Sequence, residues 1–194
     1  MFVKTRKTAG TSLEVHLGAY CGRDDIVTPI TPARPGHRPR NHDGYYNHMA
    51  SYEIRERQPD FFGRAFKFAF ERHPVDKCLS YFAMLRHSLD HKARGNPTEW
   101  PDFVDIGVFP VDTGLYAGPD GTLMVDQLYR YEEMDAALSD IVARTGIPNG
   151  PLVVREKSGF RKNDIPTFEA VMRDPWARDR IMDAFACTLR HIAY

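Results

Sequence analysis

Three stretches of the chain have the residue pattern of buried β-strands. Phe2 and Val3 form a short apolar start, and residues 65–70 alternate aromatic side chains with small or polar ones. A third apolar stretch covers residues 123–131 and follows a turn signal at residues 119–121. The pattern therefore predicts strands at these three places.

Helical spacing of apolar residues follows each predicted strand. It begins near Thr11, resumes after Pro74, which suits the first turn of a helix, and covers residues 132–145. Gly146 then fits the position just beyond a helix end. A last helical region is predicted over residues 165–194.

An extended loop and a short helix are predicted between the first two strands. Residues 24–41 are rich in proline, which disfavours a regular helix. The same loop carries several basic side chains: Arg34, His37, Arg38 and Arg40. A short helix is expected to open beside Asn47, so that His48 would lie in its first turn.

Composition and charge bound the class of protein without identifying it. The 194 residues fit one domain with a substantial core, and 26 basic residues balance 26 acidic ones, so any attraction for an anion must be local. The three cysteines form no C-x-x-C pair, which indicates reduced thiols. We find neither a signal peptide nor an apolar run long enough to cross a bilayer, and we expect a cytoplasmic protein without a membrane span.

The segment Lys7–Ser12 is the first candidate for chemistry. It lies between a predicted strand and a predicted helix, a geometry that points backbone N–H groups at an anion. Gly10 allows close approach to the backbone, and Lys7 adds a positive charge. The segment is not a Walker A loop, because its lysine comes three residues before the glycine. The alternative interpretation is a polar turn with a solvated lysine.

Lys7–Ser12 resembles the 5′-phosphosulfate loop of sulfotransferases that use 3′-phosphoadenosine 5′-phosphosulfate (PAPS). The family usually has proline before the lysine, whereas this chain has Arg6. The resemblance implies that the whole loop binds the cofactor: Lys7, Thr8, Ala9, Gly10, Thr11 and Ser12.

A second motif follows the second predicted strand. An arginine at the strand end and the hydroxyl of Ser80, about two turns into the next helix, suit a phosphate dianion. The pattern R-x-P-x-D-x-x-x-S-Y resembles the 3′-phosphate motif of the same sulfotransferases, and the matching residues are Arg72, Pro74, Asp76, Ser80 and Tyr81. An ordinary strand-to-helix junction is the alternative, but it must explain two motifs in the correct order.

Two further elements are similar to the family. Residues 155–164 resemble the segment that closes over the nucleotide, which implies contacts from Ser158, Arg161 and Asn163; a plain basic loop is the alternative. In carbohydrate sulfotransferases a histidine in the region of His48 is the proposed general base. Heparan sulfate 2-O-sulfotransferases carry two such histidines, and this chain keeps the second as His48, with Tyr46 at the first. The alternative is that His48 only caps or packs.

The resemblance implies a P-loop-like α/β fold, in which helices flank a small parallel sheet in a single domain over residues 1–194. It also implies transfer of a sulfuryl group from PAPS to a hydroxyl-bearing acceptor such as a carbohydrate, which leaves 3′-phosphoadenosine 5′-phosphate. Lys7 would stabilise the leaving oxygen and His48 would accept the hydroxyl proton. Neither a metal nor a nucleic-acid partner is expected. A P-loop-like nucleotide kinase and a non-catalytic polyanion-binding module remain as alternatives.

Overall fold

A three-stranded parallel sheet is the centre of the architecture. The computed structural model describes residues 1–88, 96–148 and 161–194. Strands β1 (Phe2–Val3), β2 (Phe68–Glu71) and β3 (Gln127–Arg130) lie in the order β1-β2-β3, with Phe2 opposite Phe68 and Phe70 opposite Tyr129. The predicted α/β class with a small parallel sheet is therefore confirmed. β2 and β3 both begin later than predicted. In the stretch predicted as the start of β3, Leu123 pairs with Ala117 in an isolated antiparallel bridge.

Ten α-helices lie in the described part of the chain. They are α1 (Gly10–Gly18), α2 (Ser51–Arg57), α3 (Pro59–Arg64), α4 (Pro74–His87), α5 (Trp100–Ile106), α6 (Thr113–Tyr116), α7 (Met134–Thr145), α8 (Phe168–Arg173), α9 (Pro175–Ala184) and α10 (Ala186–Leu189). A short 3₁₀ turn leads into α7, and Gly146 ends α7 with φ 70°, as its position predicted. Within the described ranges, no helix combines the length and apolar character needed to span a lipid bilayer.

The described residues divide into two compact units. The first contains residues 1–71 and 114–148, and therefore the whole sheet with α1 and α7. The second contains residues 72–88, 96–113 and 161–194, and is helical. The expectation of one domain over residues 1–194 stays a prediction.

Alternating side chains of the sheet build the core of the first unit. On one face Phe68 and Phe70 pack with Leu13 of α1 and Ile141 of α7. On the other face Ala69 packs with further apolar residues, among which are Val3, Tyr116 and Val125. This period-two pattern buries both faces of β2, which explains why Phe68, Ala69 and Phe70 are apolar in succession; the last residue of the strand, Glu71, is buried as well.

The second unit packs its helices around α4. Phe82 and Leu79 of α4 contact apolar side chains of neighbouring helices, among which are Phe103 and Ile181. The same core contains an ion pair between Lys77 Nζ and Asp112 Oδ2, 2.9 Å apart, with side chains 0% and 2% exposed. Sequence patterns gave no sign of this pair, because lysine and aspartate are seldom fully buried.

The helix expected beside Asn47 begins later than predicted. α2 starts at Ser51 with Ala50 as its N-cap residue, and His48 lies in the turn before it. His48 has φ 62°, in the left-handed region, which a right-handed helix does not contain. The prediction that His48 lies in the first turn of the helix is therefore wrong.

Candidate functional site

The backbone of the predicted phosphosulfate loop is strained. Lys7 has φ 62° and Ala9 has φ 56°, and neither residue is glycine. Each such residue costs roughly 1–3 kcal/mol and persists only where its surroundings hold it in place. Residues in this conformation help to turn neighbouring N–H groups into one concave surface, as in known anion-binding loops. The strain therefore coincides with the segment that the sequence motif selects.

The first turn of α1 has no side-chain cap. Its N-cap residue is Ala9, whose methyl side chain cannot accept a hydrogen bond, and the turn contains no acidic residue. Gly10, Thr11 and Ser12 are nevertheless buried. The N–H groups of a first turn need acceptors and lie at the positive end of the helix dipole. An anion is the ligand that suits such a helix start.

Hydrogen bonds of two threonine hydroxyl groups connect the loop with strand β2. The Thr5 hydroxyl donates to the carbonyl oxygen of Phe70 at 2.5 Å and lies 2.9 Å from the Thr8 hydroxyl. The Thr8 hydroxyl also lies 3.2 Å from the Thr5 carbonyl oxygen. Because the Thr5 hydroxyl donates its proton to Phe70, it can only accept from Thr8. The Thr8 hydroxyl is therefore the donor to the oxygen atoms of Thr5. Thr8 thus supports the loop internally with its hydroxyl, a role that the motif alone did not indicate.

Gly10 makes room for the side chain of Lys4. A Cβ atom on Gly10 would lie 2.7 Å from Lys4 Cγ and 3.3 Å from the carbonyl oxygen of Thr5. Lys4 is itself fixed, because its ammonium group lies 2.6 Å from the Glu14 carboxylate, which also accepts from the Thr28 hydroxyl at 2.8 Å. The sequence argument assigned the space at Gly10 to a ligand. In the structure the stem of Lys4 occupies it.

His48 is hydrogen-bonded to the backbone that precedes the same loop. Its Nδ1 atom is 2.9 Å from the carbonyl oxygen of Lys4. A carbonyl oxygen only accepts, so Nδ1 carries the proton in this contact. In the neutral ring the lone pair is then on Nε2. The structure therefore places the predicted base His48 beside the backbone of Lys4, three residues before the predicted anion loop, and both lie within the first unit.

Arg72 is held by the aspartate of its own motif. Its Nε and Nη2 atoms both lie 2.5 Å from Asp76 Oδ2. Arg161 also bonds Asp76, through the other carboxylate oxygen and, at 2.9 Å, through the main-chain carbonyl. Burial alone would raise the pKa of Asp76, but the charges and hydrogen bonds of the two arginines outweigh burial and lower it. Asp76 thus stays ionised and joins two of the predicted cofactor-binding residues.

The other predicted residues of the second unit are less constrained. Ser80 is half-buried and follows Asp76 by four residues on α4, so both lie on one face of the helix. Asn163 is exposed, in a turn. Ser158 lies outside the described residues. Sequence reasoning assigned no role to Asp76, although the four-residue spacing from Arg72 to Asp76 and on to Ser80 was a usable signal.

Two basic side chains of the proline-rich loop stabilise the loop itself. The Arg40 guanidinium donates to the carbonyl oxygens of Cys21 and Gly22 at 2.7 and 2.8 Å. His37 Nε2 lies 2.7 Å from the carbonyl oxygen of Thr28. These contacts favour a structural role for half of the basic cluster on which a polyanion-binding module would depend.

A surface cavity of the first unit lies apart from the predicted site residues. The cavity has a volume of about 450 Å³ and is lined by residues such as Arg55, Lys67 and Asp126, and by none of the predicted site residues. Its two charged groups at the sheet are already paired, since Lys67 Nζ lies 2.9 Å from Asp126. Over residues 1–88, 96–148 and 161–194, no group of three or more His, Cys, Asp or Glu side chains could hold a metal ion.

Comparison with known proteins adds no relative to this geometry. No family model, no curated protein and no solved structure matches the chain.

Proposed function

We propose that this protein is a P-loop-like sulfotransferase that transfers a sulfuryl group from PAPS to the hydroxyl of an acceptor such as a carbohydrate. In this proposal the loop Lys7–Ser12 binds the 5′-phosphosulfate, Arg72 and Ser80 bind the 3′-phosphate, and His48 is the general base. The proposal combines the two sequence motifs with the geometry of each group of residues.

One observation carries the proposal: a histidine ring is hydrogen-bonded to the backbone three residues before a strained loop, and the helix that follows this loop has no side-chain cap. His48 Nδ1 bonds the carbonyl oxygen of Lys4, and the left-handed residues Lys7 and Ala9 follow three and five residues later along the chain. Sulfuryl transfer needs a site for the developing negative charge and a base beside it. The uncapped start of α1 suits the first requirement, and His48 suits the second.

The chemistry assigned to these groups is mainly positioning and charge stabilisation. His48 accepts the acceptor's hydroxyl proton at Nε2 while Lys4 holds Nδ1–H, and the hydroxyl oxygen forms its bond to sulfur. The bond from sulfur to the phosphate oxygen breaks, and Lys7 and the loop N–H groups stabilise the charge left on that oxygen. An in-line arrangement of attacking and leaving oxygens is expected by analogy with phosphoryl transfer.

The 3′-phosphate role rests on the geometry around Asp76. An ionised Asp76 holds Arg72 and Arg161 at fixed positions before any ligand binds. An arginine that is fixed in advance loses less conformational entropy on binding an anion. This arrangement supports selection of a nucleotide with a 3′-phosphate over one without it.

Thermal unfolding with two nucleotides tests the proposal. We expect 3′-phosphoadenosine 5′-phosphate to raise the melting temperature far more than AMP does, and a ligand at a hundred times its Kd stabilises by about 2.7 kcal/mol. Transfer from labelled PAPS to a panel of hydroxyl acceptors, read by mass spectrometry, tests the reaction. Equal shifts with both nucleotides contradict the 3′-phosphate role, and tight ATP binding would favour the kinase instead.

A further inference from the structure

The turn that carries His48 is closed by one carboxylate. The Tyr46 hydroxyl lies 2.6 and 2.7 Å from the two oxygens of Glu53, and the N–H of Ala50 donates to Glu53 at 3.1 Å. Tyr46 precedes His48 by two residues and Ala50 follows it by two. Glu53 therefore holds both ends of a five-residue turn whose centre is His48.

The turn needs such support, because its central residue is strained. His48 has φ 62°, which is uncommon for any residue except glycine and costs free energy unless neighbouring contacts fix it. The Asn47 side chain adds a contact to the carbonyl oxygen of Pro29 at 3.3 Å. Without Glu53, residues 46–50 would be free to adopt a less strained backbone, and the ring of His48 would move with it.

We propose that Glu53 is the residue that positions His48, with Tyr46 as its partner on the other side of the turn. The bonds of Glu53 set the backbone of the turn, and the Lys4 carbonyl then selects the ring orientation and the Nδ1–H tautomer. This inference rests on the proposed function, because Glu53 can affect turnover only if His48 is the general base. It names a positioning residue that neither motif contains.

The partner Tyr46 remains a hydrogen-bond donor at neutral pH. The hydrogen bond to Glu53 raises the pKa of Tyr46 above its ordinary value. The Tyr46 side chain is otherwise exposed, so substitution of its hydroxyl should not disturb the core.

Turnover and nucleotide binding of Glu53 variants test this role. Glu53→Ala should lower kcat by about tenfold or more, because small misplacements of a catalytic group have effects of this size. The affinity for 3′-phosphoadenosine 5′-phosphate should not change, since the hydrogen bonds of Glu53 to Tyr46 and Ala50 lie in the turn of His48 and not in the loop Lys7–Ser12. Glu53→Gln keeps an acceptor oxygen and should restore most of the turnover. Glu56→Ala is the matched control, because Glu56 is an exposed carboxylate on the same helix.

Spectroscopy of the imidazole gives a readout that is independent of activity. Long-range ¹H–¹⁵N spectra should show the Nδ1–H tautomer of His48 in the wild type and in Glu56→Ala, and a mixture in Glu53→Ala. Tyr46→Phe removes the hydrogen bond between Tyr46 and Glu53 but keeps the Glu53 carboxylate, and it should shift the same signals. This variant tests the proposal even if Glu53→Ala does not fold.

The two proposals fail separately. Turnover and imidazole spectra of Glu53→Ala equal to those of Glu56→Ala would overturn the positioning role. A wild type that transfers no sulfuryl group to any acceptor would overturn the proposed function, while the spectra would still show whether Glu53 positions His48.

Discussion

The Nδ1 atom of His48 lies 2.9 Å from the carbonyl oxygen of Lys4, three residues before the lysine of the predicted phosphosulfate loop. One hydrogen bond thus connects two features that are more than forty residues apart in the sequence. It fixes the tautomer of the candidate base and places the ring beside the backbone that leads into the candidate anion loop.

Replacement of His48 should separate binding from turnover. His48→Ala is expected to bind 3′-phosphoadenosine 5′-phosphate normally and to lose roughly a hundredfold or more in kcat, because a general base acts only as the proton moves. Calorimetry measures the binding and steady-state kinetics the turnover. His42→Ala, in the same region of the chain, is the control and should keep both. Near-normal turnover of His48→Ala would exclude it as the base.

Lys7 and Arg72 should affect different kinetic constants. Charge at the leaving oxygen matters most as the bond breaks, so Lys7→Ala should chiefly lower kcat. Arg72→Ala should chiefly raise KM for PAPS, because a contact to the 3′-phosphate acts in the ground state and the transition state alike. Arg180→Ala, a half-exposed arginine of the same unit as Arg72, should change neither constant. The reverse pattern would mean that the two assigned roles are exchanged.

Two adjacent residues of the loop should respond to substitution in opposite directions. Gly10→Ala should destabilise the protein by about 1–3 kcal/mol, because the new Cβ would overlap Cγ of Lys4, whose side chain is held in place by Glu14. Ala9→Gly should leave stability unchanged or raise it by up to about 1 kcal/mol, because glycine adopts φ 56° without strain. Denaturant unfolding measures both values. Equal effects of the two substitutions would contradict the described loop geometry.

The residue pattern was sufficient for the approximate positions of the three strands and of the loop, and the reasons are local, whereas the parallel sheet was expected from the family resemblance. Short-range patterns predict these elements. The apolar residues of Phe2–Val3 and of residues 65–70 favour strands, and Pro74 favours the start of a helix. The turn at His48 was not predictable in this way. Both of its ends are held by hydrogen bonds to Glu53, which is the third residue of the next helix. The pairs of Lys4 with Glu14 and of Lys77 with Asp112 depend on packing between distant segments. The periodic pattern of apolar and polar residues predicts that charged side chains are exposed, so it does not predict that these pairs are buried.

Acid should weaken the protein partly through Asp76. The pKa of Asp76 is lowered in the folded state, since Arg72 and Arg161 outweigh the effect of burial. Its stabilising contribution is therefore complete above the unfolded-state pKa of about 3.9 and is lost as the pH falls through the lower folded-state value. Asp76→Asn should flatten the pH dependence of the free energy of unfolding in that range. Asp60→Asn, an exposed carboxylate on α3, serves as the control. An unchanged acid limb in Asp76→Asn would contradict the ion pairing.

The buried pair of Lys77 and Asp112 should show strong non-additivity. Lys77→Met or Asp112→Leu alone removes the ion-pair partner of a charge in a core where both side chains are at most 2% exposed, which should cost about 3–5 kcal/mol. The double variant removes both charges and replaces them with apolar groups beside Phe185, so it should be far more stable than either single variant. The same cycle on the exposed pair Arg178–Asp179 should give a coupling of at most about 1 kcal/mol. Additive losses at Lys77 and Asp112, measured by denaturant unfolding, would show that the two groups do not form an ion pair in solution.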